Sequence, residues 1–169
     1  MPRKLSTLED LYVDELKDLY SAEHQILKAL PRMMKKANSQ ELKDAIESHR
    51  METEEQVKRL DRIFKDMGKT ATGKKCKAME CIIEEGKELM EKNTEPAVLD
   101  AGLIASAQKV EHYEISGYGT ARTYAQLLGY DEARDLLQTT LDEEGRTDEK
   151  LNGLAESINV EATQTENQH

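Results

Sequence analysis

An acidic residue sits near the middle of each of four apolar helical stripes, and few folds can bury such a pattern. Apolar residues recur with the 3.6-residue period of a helix. The first stripe reads Tyr12, Leu16, Leu19, Glu23, Ile26, Leu30, Met33. The second reads Leu42, Ala45, Ile46, His49, Glu52, Thr53, Gln56, Leu60, Ile63. The third reads Ile104, Ala107, Glu111, Glu114, Tyr118, Ala121, Ala125, Leu128, and the fourth Ala133, Leu136, Leu137, Thr140, Glu144, Thr147, Asp148, Leu151, Leu154. Desolvating one carboxylate costs several kcal/mol, so buried acids need partners. No lysine or arginine lies in any of the four stripes. Two divalent ions would supply about +4, and hard oxygen donors suit Fe²⁺ or Mn²⁺. Carboxylates from four helices are how a bundle core builds a two-metal site.

The expected metal ligands are therefore Glu23, Glu52, Glu111, Glu114 and Glu144. His49, Gln56 and Asp148 are either ligands or orienting groups, and His49 is read as the hydrogen-bonded partner of a ligand. Each residue also has a plainer reading. Glu23 alone is a solvated edge residue, Glu111 and Glu114 a commonplace i, i+3 pair, His49 a satisfied core histidine. Their joint placement favours the metal. His24 and His112 fall about 100° off the stripes and are read as flanking. Tyr20 and Tyr118, one turn from Glu23 and Glu114, are read as core tyrosines with satisfied hydroxyls.

Turn signals divide the chain into an all-α domain over 1–160 and a polar tail over 161–169. Ser6 and Glu9 form a capping box that opens helix A, which runs to about Ala37 and is kinked or split by Pro31. Helix B runs from Gln40 to Met67 and stops at Gly68. Thr94 and Pro96 open helix C, which ends before Gly129, and Asp131 caps helix D to about Ile158. Short A–B and C–D turns make two antiparallel hairpins, and nearly thirty residues join them. That crossover carries a shorter amphipathic stretch from Lys74 to Lys92. Two hairpins with one long crossover is the ferritin-like four-helix arrangement.

Other classes are disfavoured. With 34 acidic and 24 basic residues the net charge is −10, which argues against nucleic acid and against a polybasic membrane anchor. No apolar run approaches the roughly 20 residues of a membrane span, and no signal peptide is read at the start. Cys76 and Cys81 are expected to be reduced thiols, consistent with cytoplasm.

The stretch Ala22-Glu23-His24-Gln25 recurs as Val110-Glu111-His112-Tyr113, and Glu52 and Gln56 are echoed by Glu144 and Asp148. Two related hairpins about a pseudo-twofold axis would produce this. The motifs Thr7-Leu8-Glu9-Asp10-Leu11, Tyr20-Ser21-Ala22-Glu23, Glu52-Thr53, Ala107 to Ile115 and Glu143-Glu144 with Thr147-Asp148 resemble the YciE/YciF-type bacterial stress proteins. The resemblance covers nearly the whole chain. It implies a ferritin-like fold, a rubrerythrin-like dinuclear site, a homodimer and a place in stress responses, with no defined reaction. One departure stands out: Glu52 is followed by Glu55 and Glu144 by Thr147, where ferritin-like di-iron proteins carry Glu-x-x-His. The expected function is a di-metal oxidoreductase acting on peroxide or dioxygen, with Glu52 and Glu144 bridging. The alternatives are iron binding or storage and a metal-free helical interaction protein.

Overall fold

The computed structural model describes residues 4–164. It contains five helices, α1 (Leu8–Lys36), α2 (Gln40–Asp66), α3 (Lys77–Glu91), α4 (Pro96–Leu127) and α5 (Asp131–Gln164), with no strand among the described residues. The four long helices contact in a ring: α1 packs on α2 and α4, and α5 packs on α2 and α4. The crossover helix α3 lies against α1 and α4.

Local chemistry sets the ends. The capping box lies one residue later than expected: the Asp10 amide donates to Thr7 Oγ1 at 3.0 Å, and the Thr7 amide donates to Asp10 Oδ2 at 3.1 Å. α1 runs unbroken through Pro31, so the anticipated split is absent. Ser39 caps α2 by accepting from the Leu42 amide at 3.3 Å. Gly68 (φ 62°) and Gly129 (φ 78°) follow α2 and α4 in the left-handed region that L side chains avoid. Pro96 is the first residue of α4, where its missing N–H costs nothing. Asp131 is the first helical residue of α5, not its cap. That helix continues past Ile158 to Gln164, which takes in the start of the expected tail; 165–169 lie outside the described residues.

Two polar knots pin the connections. Asp100 on α4, 3 % exposed, accepts from the Asn38 amide at 2.8 Å and the Ser39 amide at 2.7 Å, which fastens the α1–α2 turn. Where α3 begins, the Cys76 amide donates to Ser21 Oγ at 2.9 Å, and Gln25 Nε2 donates to the Cys76 carbonyl at 3.0 Å. Both cysteines are free thiols, Cys76 buried and Cys81 exposed. Cys76 precedes α3 and caps it through Sγ, whereas Cys81 lies within the helix.

The buried apolar residues form two clusters. One gathers Ile26, Leu30, Leu42, Ile46, Met79, Leu103, Ile104 and Leu151. The other gathers Tyr12, Leu16, Leu19, Leu60, Ile63, Phe64, Tyr118 and Leu137. Along every long helix the buried acids or their partners fall between the members of these two groups.

Candidate metal centre

Glu23 on α1, His49 on α2, Glu111 and Glu114 on α4 and Glu144 on α5 are all buried, with exposures of 0, 5, 1, 0 and 0 %. One ligand atom from each of His49, Glu111, Glu114 and Glu144 lies within 4.8 Å of the others, so this group can hold a metal ion. His49 Nε2 stands 3.4 Å from Glu111 Oε1. Glu23 completes the cluster: its carboxyl touches that of Glu114, and its Oε1 accepts from the Tyr118 hydroxyl.

Many of the cluster's donor atoms lack partners. Glu23 Oε2, Glu111 Oε2, Glu144 Oε2, both Glu114 oxygens and both His49 nitrogens are buried without a hydrogen bond from any described donor. Unpaired buried polar atoms are rare because each forfeits its hydration. Burial, and then repulsion from Glu144, raises the pKa values of Glu23, Glu111 and Glu114. A carboxyl of Glu23 meets Glu114, and one of Glu111 meets Glu144. Such pairs either share protons or bind cations. Four carboxylates and an imidazole, with donor atoms aimed at one another, fit divalent metal.

A second ring of groups orients the first. Gln56, wholly buried, donates through Nε2 to Glu144 Oε1 and, at 3.1 Å, to Glu143 Oε2. Arg59 grips Glu143 with two bonds of 2.6 and 2.7 Å and donates to Thr140 Oγ1 at 3.1 Å. Thr53 Oγ1 donates to the His49 carbonyl at 2.8 Å. The stripes do lack basic residues, but Arg59 stands one position off them and neutralises Glu143 instead. The signal was legible: Arg59 follows Gln56 by one helical turn, and Glu143 precedes Glu144.

The structure brings Glu23, Glu111, Glu114 and Glu144 together with His49, and leaves one expected acid out. Glu52 is only half-buried and lies outside the converging group, its Oε2 accepting from Thr147 Oγ1 at 3.2 Å. His49 joins that group instead. The reason is helical phase: His49, Thr53, Gln56 and Leu60 follow i, i+4, i+7, i+11, whereas Glu52 sits about 60° round the helix from His49. Asp148, likewise displaced from Glu144 by about 40°, pairs with exposed His112 at 3.2 Å and reaches Gln108 at 3.5 Å. Gln56 acts as an orienting group. His24 and His112 flank the cluster, and the Tyr20 ring lies against His24, tilted by 43° with ring centroids 4.4 Å apart.

Relatives support the fold around this cluster. The family model described as "Domain of unknown function (DUF892)" matches residues 7–164. Protein YciF of Escherichia coli K12 is 43 % identical over 152 residues, which cover 89 % of this chain and 92 % of that one. The crystal structure of the E. coli stress protein YciF superposes with a TM-score of 0.88 at 42 % identity, covering 91 % of this chain and 98 % of the other. YcfI of Rhodopseudomonas palustris superposes with a TM-score of 0.87 at 42 % identity, covering 90 and 97 %. A Xanthomonas campestris protein, 21 % identical with a TM-score of 0.79 and coverages of 95 and 99 %, shares the fold. With a family match along nearly the whole described chain and such identity to YciF, the chain belongs to the DUF892 family of YciF-like proteins.

Proposed function

We propose that this chain is a ferritin-like four-helix bundle whose core holds two divalent ions, iron or manganese, for reaction with peroxide or dioxygen under stress. The observation that carries this reading is the set of unpaired donor atoms on Glu23, His49, Glu111, Glu114 and Glu144. The ions would be held by Glu23, His49, Glu111, Glu114 and Glu144. When bound, the metals supply Lewis acidity and electrons to a small oxidant. The chain does the rest. Gln56 and the Arg59–Glu143 pair hold Glu144 in one orientation, the Tyr118 hydroxyl keeps a proton against Glu23 Oε1, and the two apolar clusters exclude water. The donor set is richer in oxygen than a histidine-rich centre, which favours manganese.

Two further features belong to this reading. Twofold symmetry is the commonest closure, so a homodimer acting in the cytoplasm is the expected form. No helix is long and apolar enough to cross a membrane. A metal-free polar network is the second reading, favoured by the carboxyl contacts Glu23–Glu114 and Glu111–Glu144, which close if each pair shares a proton.

Anaerobic reconstitution with Fe²⁺ or Mn²⁺ separates them. The proposal expects about two ions retained per chain and a later melt, because a ligand at a hundredfold excess over Kd stabilises by roughly 2.7 kcal/mol. It also expects the loaded protein to consume peroxide or dioxygen. No retained metal and an unchanged melt would leave the metal-free network as the account.

A further inference from the structure

An apolar cavity of about 110 Å³ lies beneath the crossover helix, between α1, α3 and α4. Ile26, Leu30, Ile83, Met90, Leu103 and Val110 wall it, and His49 and Glu111 close its inner end. Its outer part shares Lys28, Ala29, Ile83 and Lys87 with an open groove of about 650 Å³. That groove is lined by four lysines (Lys28, Lys74, Lys75, Lys87) against two glutamates, Glu80 and Glu84, in a chain of net charge −10. Lys74, Lys75 and Lys87 have acidic partners. Lys28 is exposed and has none among the described residues. A dry pocket therefore opens beside a cation that lacks a counter-ion.

We propose that this cavity and its rim form a binding site for a free medium-chain carboxylate, with the alkyl chain in the cavity and the carboxylate at Lys28. Size sets the chain length. An engineered apolar cavity of 150 Å³ holds benzene, so 110 Å³ takes about five methylenes and leaves the head group outside. Chemistry sets the polarity: the cations that line the cavity, Lys28, Arg32 and Lys87, have solvent-exposed side chains, whereas the buried Glu111 at the inner end would repel an inward-pointing carboxylate. The bound chain would end against His49 and Glu111. Its use as a substrate or regulator of a metal there rests on the function proposed above; its binding does not.

Octanoate is the probe, titrated calorimetrically into the metal-free full-length chain. One molecule should bind per chain. Ala29→Phe, which plugs the junction of cavity and groove, should weaken binding at least about tenfold by overpacking the entrance. Lys28→Ala should weaken it about two- to fivefold, the worth of an exposed ion pair. Octanol should bind less tightly than octanoate, and octylammonium least. Melting of each variant checks that it is folded. The proposal is overturned by absence of octanoate binding, by a folded Ala29→Phe that binds as well as wild type, or by octylammonium matching octanoate. Sedimentation with anionic phospholipid vesicles in place of octanoate binding would overturn it too, since a membrane lipid would then be the ligand. Metal content, measured separately, is untouched by any of these failures, so the two readings fall independently.

Discussion

The two ends of this helical core and its middle solve the same packing problem with opposite chemistry. At the ends, Leu103 and Ile104 in one cluster and Leu16 and Leu60 in the other are nearly or wholly excluded from water and need nothing but close neighbours. In the middle, Glu23, Glu114 and Glu144 are just as deeply buried, yet several of their oxygens have no donor. The ends supply stability, and the middle spends some of it to keep charged groups dry. A site of this kind needs strong shoulders.

The largest expected effects test the shoulders. Leu103→Ala or Leu60→Ala should each cost about 2–5 kcal/mol, the usual range for a buried leucine, and by the same amount with and without metal. A loss that changed when metal was added would mean that the ends and the middle are not separable. Next come the acids. Glu111→Ala and Glu144→Ala should abolish most metal retention and with it roughly 2.7 kcal/mol of metal-dependent stabilisation at a hundredfold excess. In the metal-free protein the same substitutions should leave the melting temperature equal or higher, because desolvation and repulsion are both relieved. Lower stability of both variants without metal, as for a leucine, would erase the distinction between ends and middle.

pH supplies a smaller effect with a definite sign. Burial, followed by repulsion from Glu144, raises Glu23 from the ordinary 4.5 to about 8, and Glu111 and Glu114 move in the same direction. Across that interval the folded chain holds more protons than the unfolded one. Stability of the metal-free protein should therefore fall as pH rises from 4.5 to about 8, lowering Tm by roughly 5 °C or more. Metal binding should tighten over the same range, since the ligands must shed protons. A flat metal-free melting curve between pH 5 and 8 would show these carboxyls to be solvated. The finest test compares neighbours on α2: His49→Ala should weaken metal binding more than tenfold, a usual cost of losing a ligand or its support, and Glu52→Gln should change it little. Glu55→Ala should do least, because Glu55 is exposed and paired only with Lys58. The reverse order would rotate the ligand face of α2 back to the one expected from its stripe.

The ends and the middle also differed in how well they could be read from sequence. Apolar periodicity located all five helices, and Gly68, Pro96 and Gly129 marked three of their ends, because backbone preference and burial act locally. Four of the five expected acids lie in the buried cluster for the same reason. His49 converges on the acids and Glu52 does not, although both lie on a broad stripe, because only the neighbouring helices decide which part of it faces the centre. Arg59 escaped notice because a long side chain reaches its partner from off the stripe, and its bond to Glu143 spans two helices.

Asp100 has a consequence for how the two halves of the chain align. Its carboxylate, on the second hairpin, is held by two backbone amides at the tip of the first. Sliding α4 along α1 by one turn, about 5.4 Å, would drag that charge off its donors while leaving leucine against leucine. Apolar ridges tolerate such slippage, and a buried carboxylate does not. Glu111 and Glu114, on the same helix three turns further along, can meet Glu23, His49 and Glu144 only at one longitudinal offset. The knot at this end of the helical core thus works as a vernier, setting from a distance the alignment on which the central cluster depends.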